Sequence, residues 1–214
     1  MPINNALFHD GFESSSRVIY TPSQFARQYL MYLQEAGTLQ AEKPHVSSRS
    51  NLSSYLFFVV ESGSGALWYD GVRYDLGPGD CVFIDCRKQY YHEASADLWK
   101  LCWVHFNGLA MQGIYDKYIE RGGLCCFHPK SRERFVAVAR QIHRLAMGSD
   151  HIRDMRINEN LCILTTLLME ESWHPEREKS DRGRKNISEI RSYIDEHFAE
   201  KISLESLAEQ FFIN

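Results

Sequence analysis

The 214-residue sequence lacks several features that would assign a class at once. No apolar run approaches the roughly 18 residues a spanning helix needs. The first residues, MPINNALFHDGFESSS, have neither a basic start nor an apolar stretch behind it, so no secretory signal is expected. There is no basic excess. The net charge is −4, shared equally between the part up to Trp173 and the part after it, so this chain alone is expected to bind DNA poorly. The six cysteines, Cys81, Cys86, Cys102, Cys125, Cys126 and Cys162, form no C-x-x-C pair, which argues against a zinc ribbon. Most stand in apolar runs, as buried free thiols do, and a reducing cytoplasm is the expected compartment. Neither a nucleophile elbow nor a phosphate-cradling glycine loop is present.

What is there is enough apolar material for a real core, 44%, with an ordinary charged fraction of 24%. From Tyr55 to Phe106 the chain reads as β. Tyr55–Val60 is aromatic and β-branched, as a well-buried strand is. Gly63-Ser-Gly65 and Gly77-Pro-Gly-Asp80 read as turns. Asp70-Gly71 between Ala66–Tyr69 and Val72–Leu76 predicts a type I′ hairpin, whose two central residues need positive φ. Cys81–Ile84 is the next strand, and Leu98–Phe106 reads as the longest. Short strands at close spacing predict a mainly β fold, an antiparallel sandwich or barrel. Ahead of it, Thr21-Pro22-Ser23-Gln24 fits a helix start, with Thr21 as cap and Gly37 as a stop. Tyr29–Leu33 reads equally as a strand, so a short helix giving way to a strand near Tyr29 is expected.

After Gly108 the period changes. Phe135, Val138, Ala139, Ile142, Leu145 and Ala146 form a helical stripe, with Arg132, Arg140 and Arg144 away from it. A second helix runs from about Asp154 to Trp173. Its centre, Leu161–Met169, is apolar nearly all round and needs cover on more than one side: one from the barrel or the preceding helix, the other from a second subunit or from the same chain. Residues 174–185 are charged, hold Pro and Gly, and read as a linker. Beyond it Asn186 caps a helix with Ile187, Ile190, Ile194 and Phe198 on one face. Ser203 caps another with Leu204, Leu207, Ala208 and Phe211. Two such helices cannot bury their faces alone, so residues 186–214 read as the start of a larger module.

Residues Ile202–Asn214 resemble the first helix of the first helix-turn-helix in AraC-type transcription regulators, up to the turn before the recognition helix. Asn186 to Glu200 resembles the helix before it. Gly71–Asp80, Phe83–His92 and Trp99–Gly108 resemble, in order and spacing, the cupin sensing domain of that family. One departure is Cys86, where many relatives carry proline. The resemblance implies a cupin-like antiparallel β-barrel, or jelly roll, followed by helices. It implies a small-molecule effector inside the barrel, often a sugar, a homodimer formed through the helices, and promoter DNA as partner of the full-length regulator. Residues 1–173 would be the sensing and dimerisation domain, 174–185 the linker and 186–214 the truncated DNA-binding start. No membrane partner and no enzyme activity are expected.

Side chains alternate across a strand. Trp99, Leu101, Trp103 and His105 therefore share one face of the last strand, opposite Lys100, Cys102, Val104 and Phe106. An indole suits the C–H face of a sugar, and the resemblance places Trp103 towards the interior; its plainer role is to fill the core. Trp99 fits the same site or packs under a loop. The resemblance also places an arginine near Arg49 against the ligand, with five donors for hydroxyls or a carboxylate. His92 and Glu93, after Tyr90-Tyr91 at the strand end, read as a donor and an acceptor at the barrel mouth; the plainer role of His92 is a structural histidine bonded to backbone. Many cupins are metalloenzymes with an H-x-H pattern. This sequence has His92, Glu93 and His105 without that pair, so no metal and no cofactor are expected. The alternative reading is a cupin enzyme such as a sugar isomerase or dioxygenase.

Overall fold

The computed structural model describes residues 15–173, 193–195, 197–198 and 203–210. It divides the chain into two units, Met1–Ser172 and Trp173–Asn214. In the first, the strands are β1 Ser16–Ile19, β2 Tyr32–Gln40, β3 Val46–Arg49, β4 Tyr55–Ser62 and β5 Gly65–Tyr69. They continue as β6 Val72–Leu76, β7 Cys81–Asp85, β8 Tyr90–Ala94, β9 Lys100–Asn107 and β10 Cys126–Phe127. The helices are α1 Gln24–Tyr29, α2 Met111–Glu120, α3 Arg132–Met147 and α4 Arg153–Ser172. Among the described residues no helix is long and apolar enough to cross a membrane.

The strands form two antiparallel sheets, ordered β1-β2-β9-β4-β7-β10 and β3-β8-β5-β6. Together they make a cupin-like jelly-roll barrel followed by helices. The central strands β4 and β7 of the six-stranded sheet are buried on both faces because they are apolar at nearly every position. Phe57, Val59, Cys81, Phe83, Cys102, Val104 and Phe106 face one way, onto Phe135, Val138, Ile142, Leu161, Leu164 and Leu168 of the helices. Leu56, Phe58, Val60, Val82, Ile84, Leu101 and Trp103 face the other way, into the barrel with Leu67, Tyr69 and Leu76. Each such large side chain stabilises the fold by about 1.5–3 kcal/mol relative to exposure.

The hairpin at Asp70-Gly71 forms as expected, with φ of 55° and 77°. The alternation expected in the last strand also holds. Other details differ. The first helix is capped by Ser23, whose hydroxyl accepts from the Ala26 amide at 3.1 Å, and not by Thr21. The Asp154 carboxylate fixes this start, accepting from Ser23 N at 3.2 Å and from the Tyr20 hydroxyl at 2.7 Å. Gly37 stops nothing; it lies inside β2, opposite Trp103. The longest strand is β2, at nine residues, because Leu98 takes a turn conformation with φ 46° and β9 begins only at Lys100.

Helix α3 buries Phe135, Val138, Ala139, Ile142 and Ala146, with Leu145 half-buried. Arg140 points away and holds Glu61 through two hydrogen bonds. In α4 Ile157, Leu161, Leu164, Leu167 and Leu168 are buried, while Met155, Ile163 and Trp173 just beyond it are exposed. In the second unit Ser203 caps α5, Leu204–Gln210, by accepting from Ser206 N at 3.1 Å. Ile194 and Phe198 are exposed. The expected linker, the Asn186 cap, Ile187, Ile190 and Phe211 lie outside the described residues.

Candidate functional site

A cavity lies inside the barrel, between the two sheets. Strand alternation builds its wall, since residues two apart point the same way. β3 contributes Ser47 and Arg49, β4 contributes Leu56 and Phe58, β8 contributes Tyr90 and His92, and β9 contributes Leu101, Trp103 and His105. β2 adds Glu35 and Leu39, and His45 stands just ahead of β3. One half of the wall is apolar and the other carries hydrogen-bonding groups.

Glu35 organises the polar half. Its carboxylate accepts from Arg17 Nε at 2.9 Å and Nη2 at 2.8 Å, and from Trp103 Nε1 at 3.2 Å. Arg49 Nη1 lies 3.6 Å from the same group. Burial raises the Glu35 pKa, but the Arg17 hydrogen bonds and the Arg49 and Arg17 charges outweigh it, so the carboxyl is held below its ordinary value. Two guanidinium groups thus stand against one carboxylate at the cavity edge.

The three cavity histidines, His45, His92 and His105, are neutral at neutral pH. Burial, with Arg49 adding to it, takes His45 down to about 4. Burial takes His105 to about 4 as well, although Glu35 opposes the shift. His92 is pushed well below its usual value by burial, then by His45, Arg49 and His105. His105 Nδ1 lies 3.0 Å from the Ser54 hydroxyl. The buried His92 Nδ1 has no hydrogen-bond partner among the described residues. A neutral imidazole offers one donor and one acceptor, so these rings can serve hydroxyl groups in either sense.

Of the five residues expected at the site, the structure brings Arg49, His92 and Trp103 together on the cavity wall. Trp99 is fully buried one layer behind, with ring centroids 5.6 Å from His92 and 6.2 Å from Phe58. Its Nε1 has no hydrogen-bond partner among the described residues. Glu93 is not at the mouth. It follows His92 in β8, so alternation turns it to the outer face, where it accepts a hydrogen bond from Tyr91. Sequence reasoning missed Glu35, His45, Ser47 and Tyr90, and treated His105 only as a metal candidate. His45, His92, His105 and Glu35 share the cavity. Even so, no three His, Cys, Asp or Glu residues among those described converge closely enough to hold a metal ion.

The cavity measures about 30 Å³. That is room for water, against roughly 300–1,000 Å³ for a typical ligand pocket. Its polar wall carries one edge strand: β3 pairs with β8 alone in its sheet. Displacing β3 takes Ser47 and Arg49 with it and leaves the rest of the barrel paired.

The profile of the AraC-like ligand binding domain matches residues 31–162. No curated protein sequence matches the chain. Among solved structures, the AraC-like transcriptional activator CuxR is similar at 10% identity, with a TM-score of 0.47 over 84% of this chain. The match spans 66% of that activator's length. KdgF from Halomonas sp. is similar at 15% identity, with a TM-score of 0.33 over 45% of this chain and 81% of its own. A cupin superfamily protein from Desulfitobacterium hafniense DCB-2 follows at 11% identity and 0.33, over 44% and 77%.

Proposed function

The chain belongs to the AraC-like ligand binding domain family, and from that premise we propose that it senses a small polar effector, a sugar, inside the barrel. The observation that carries this reading is the cavity wall, where the Trp103 indole stands beside Glu35, Arg49 and His92. An apolar ring face with donors and acceptors around it suits a molecule that has C–H faces and hydroxyl edges. The effector enters by displacing the β3 edge, and it is retained because its hydroxyls pair with buried groups such as His92 Nδ1. Leaving such groups without partners costs about 1–3 kcal/mol each.

In this reading residues 1–173 sense and dimerise, 174–185 link, and 186–214 begin a helix-turn-helix module that binds promoter DNA in the full-length regulator. The exposed Met155 and Ile163 on α4 support a second copy as the cover. An effector shifts such a dimer only by binding its arrangements unequally. The protein works as a sensor in the cytoplasm rather than as an enzyme.

Isothermal titration over a panel of pentoses, hexoses and sugar acids tests the sugar. Saturable binding lost in W103A supports it; an aromatic acid binding where no sugar does overturns it. Sedimentation tests the dimer: Ile163→Glu is expected to yield folded monomers with a lower, concentration-independent unfolding midpoint, and a wild-type chain that is monomeric at every concentration removes the idea. Stoichiometric metal in the purified protein would favour instead a cupin enzyme, such as a sugar isomerase or dioxygenase.

A further inference from the structure

A second concavity lies outside the barrel, between the β5–β6 hairpin and α2. Its volume is about 670 Å³, and Tyr69, Tyr74, Tyr115, Asp116 and Cys125 are among the side chains that line it. Cys126 follows Cys125 directly. Neighbouring residues of an extended strand point to opposite faces. Here the chain bends at Cys125, just ahead of the two-residue β10, and the two sulfurs lie 3.9 Å apart. That is contact between two free thiols, well beyond the roughly 2.05 Å of a disulfide.

The backbone beneath the pair is fixed. Phe83 N donates to the Cys125 carbonyl at 2.9 Å, and Cys126 and Phe127 pair with Val82 and Cys81 of β7. The neighbouring Cys126 thiol, opposed by burial, lowers the Cys125 pKa to about 7. Both cysteines are half-buried. The other thiols differ: Cys81, Cys86 and Cys102 are buried, and Cys162 stands exposed on α4.

We propose that Cys125 and Cys126 form a dithiol site for a thiophilic trivalent metalloid compound of the class R–As(OH)₂, with R lying in the concavity against Tyr74 and Tyr115. Each sulfur forms one bond to arsenic and each arsenic–hydroxyl bond breaks. The two thiol protons leave with the two hydroxides as two waters, and no oxidation state changes. Soft sulfur donors select such a centre. A pair already held side by side loses little freedom on closing the chelate.

The test uses the full, reduced chain and phenylarsine oxide, read by intact mass. The expected product is one phenylarsenic group bound with loss of both hydroxyls. It resists excess 2-mercaptoethanol and is removed by 2,3-dimercaptopropanol. Proteolysis places both bonds in the peptide that holds Cys125 and Cys126. Cys125→Ser and Cys126→Ser each lower the monothiol-resistant adduct at least tenfold, whereas Cys162→Ser retains it. Failure to form an adduct, an adduct stripped by the monothiol, or bonds mapped to any other cysteine would overturn the site. The peptide map of the wild-type chain decides the matter even where a serine variant does not fold.

Discussion

The indole of Trp103 donates to the Glu35 carboxylate at 3.2 Å across the β2–β9 pairing, where Glu35 stands opposite His105 and Trp103 opposite Gly37. This contact ties the apolar and polar halves of the cavity wall together. It exists because β2 presents no side chain at Gly37.

The space at Gly37 is filled by the indole. A Cβ built there would meet Cη2 and Cζ2 of Trp103 at 2.4 Å. Gly37→Ala is therefore expected to displace the ring and destabilise the fold by about 1–3 kcal/mol. Urea unfolding with tryptophan emission reads both effects. An alanine variant with wild-type stability and emission would show that the ring has room to spare.

Glu35 is the carboxylate that both guanidinium groups face. Glu35→Gln leaves Arg17 and Arg49 beside a neutral amide in a mostly buried place. Breaking such a pair from one side costs about 3 kcal/mol or more. The variant should lower the urea midpoint accordingly. A loss well under 1 kcal/mol would mean that water screens the pair as it does at a surface.

Stability should fall as the solution is acidified from about pH 6.5 towards 4. An unfolded histidine titrates near 6.5. In the folded chain burial holds His45 and His105 at about 4 and His92 well below its ordinary value. Within that window the unfolded state binds more protons, so stability rises with pH and is lost as pH drops. Glu35 has a lowered pKa, and its contribution is lost only below the ordinary carboxyl range, near 4.3. Unfolding midpoints at pH 7, 6 and 5 should descend, and His92→Gln should flatten the slope. Equal midpoints at pH 7 and 5 would contradict the neutral histidine cluster.

The barrel was legible where strands are apolar on both faces and bounded by Gly or Asp-Gly. β4, β5, β7 and most of β9 meet that description, and the alternation that turns Trp103 inward follows from it; β6 is largely exposed and was marked by the Asp70-Gly71 turn. β3 was missed because Val46-Ser-Ser-Arg49 has no apolar run, so Ser47 and Arg49 could not be read as neighbours on one face. Glu35 was hidden by a bulge. The register of β2 shifts between Leu33 and Glu35, so Leu33 and Ala36 face the helices while Glu35 and Leu39 face the cavity. Simple alternation cannot anticipate that. Glu93 was misplaced for the opposite reason, since alternation within β8 applies and turns it outward while His92 points in. Tyr90-Tyr-His-Glu-Ala94 was read only as the end of a strand, and its full pairing with β3 and β5 is what places His92.

In the proposed function a sugar binds against Trp103 inside the barrel. The chain has four tryptophans, which makes their indole N–H resonances a direct test. Trp103 lines the cavity and Trp99 packs behind it, whereas Trp68 lies against Tyr91 and Arg73, and Trp173 is exposed. On titration with the sugar panel, the Trp103 resonance, assigned with Trp103→Phe, should move saturably for at least one sugar. Trp99 should follow weakly, with Trp68 and Trp173 unmoved. Indole resonances that stay in place across the whole panel, or a shift confined to Trp68 or Trp173, would mean that no sugar binds inside the barrel.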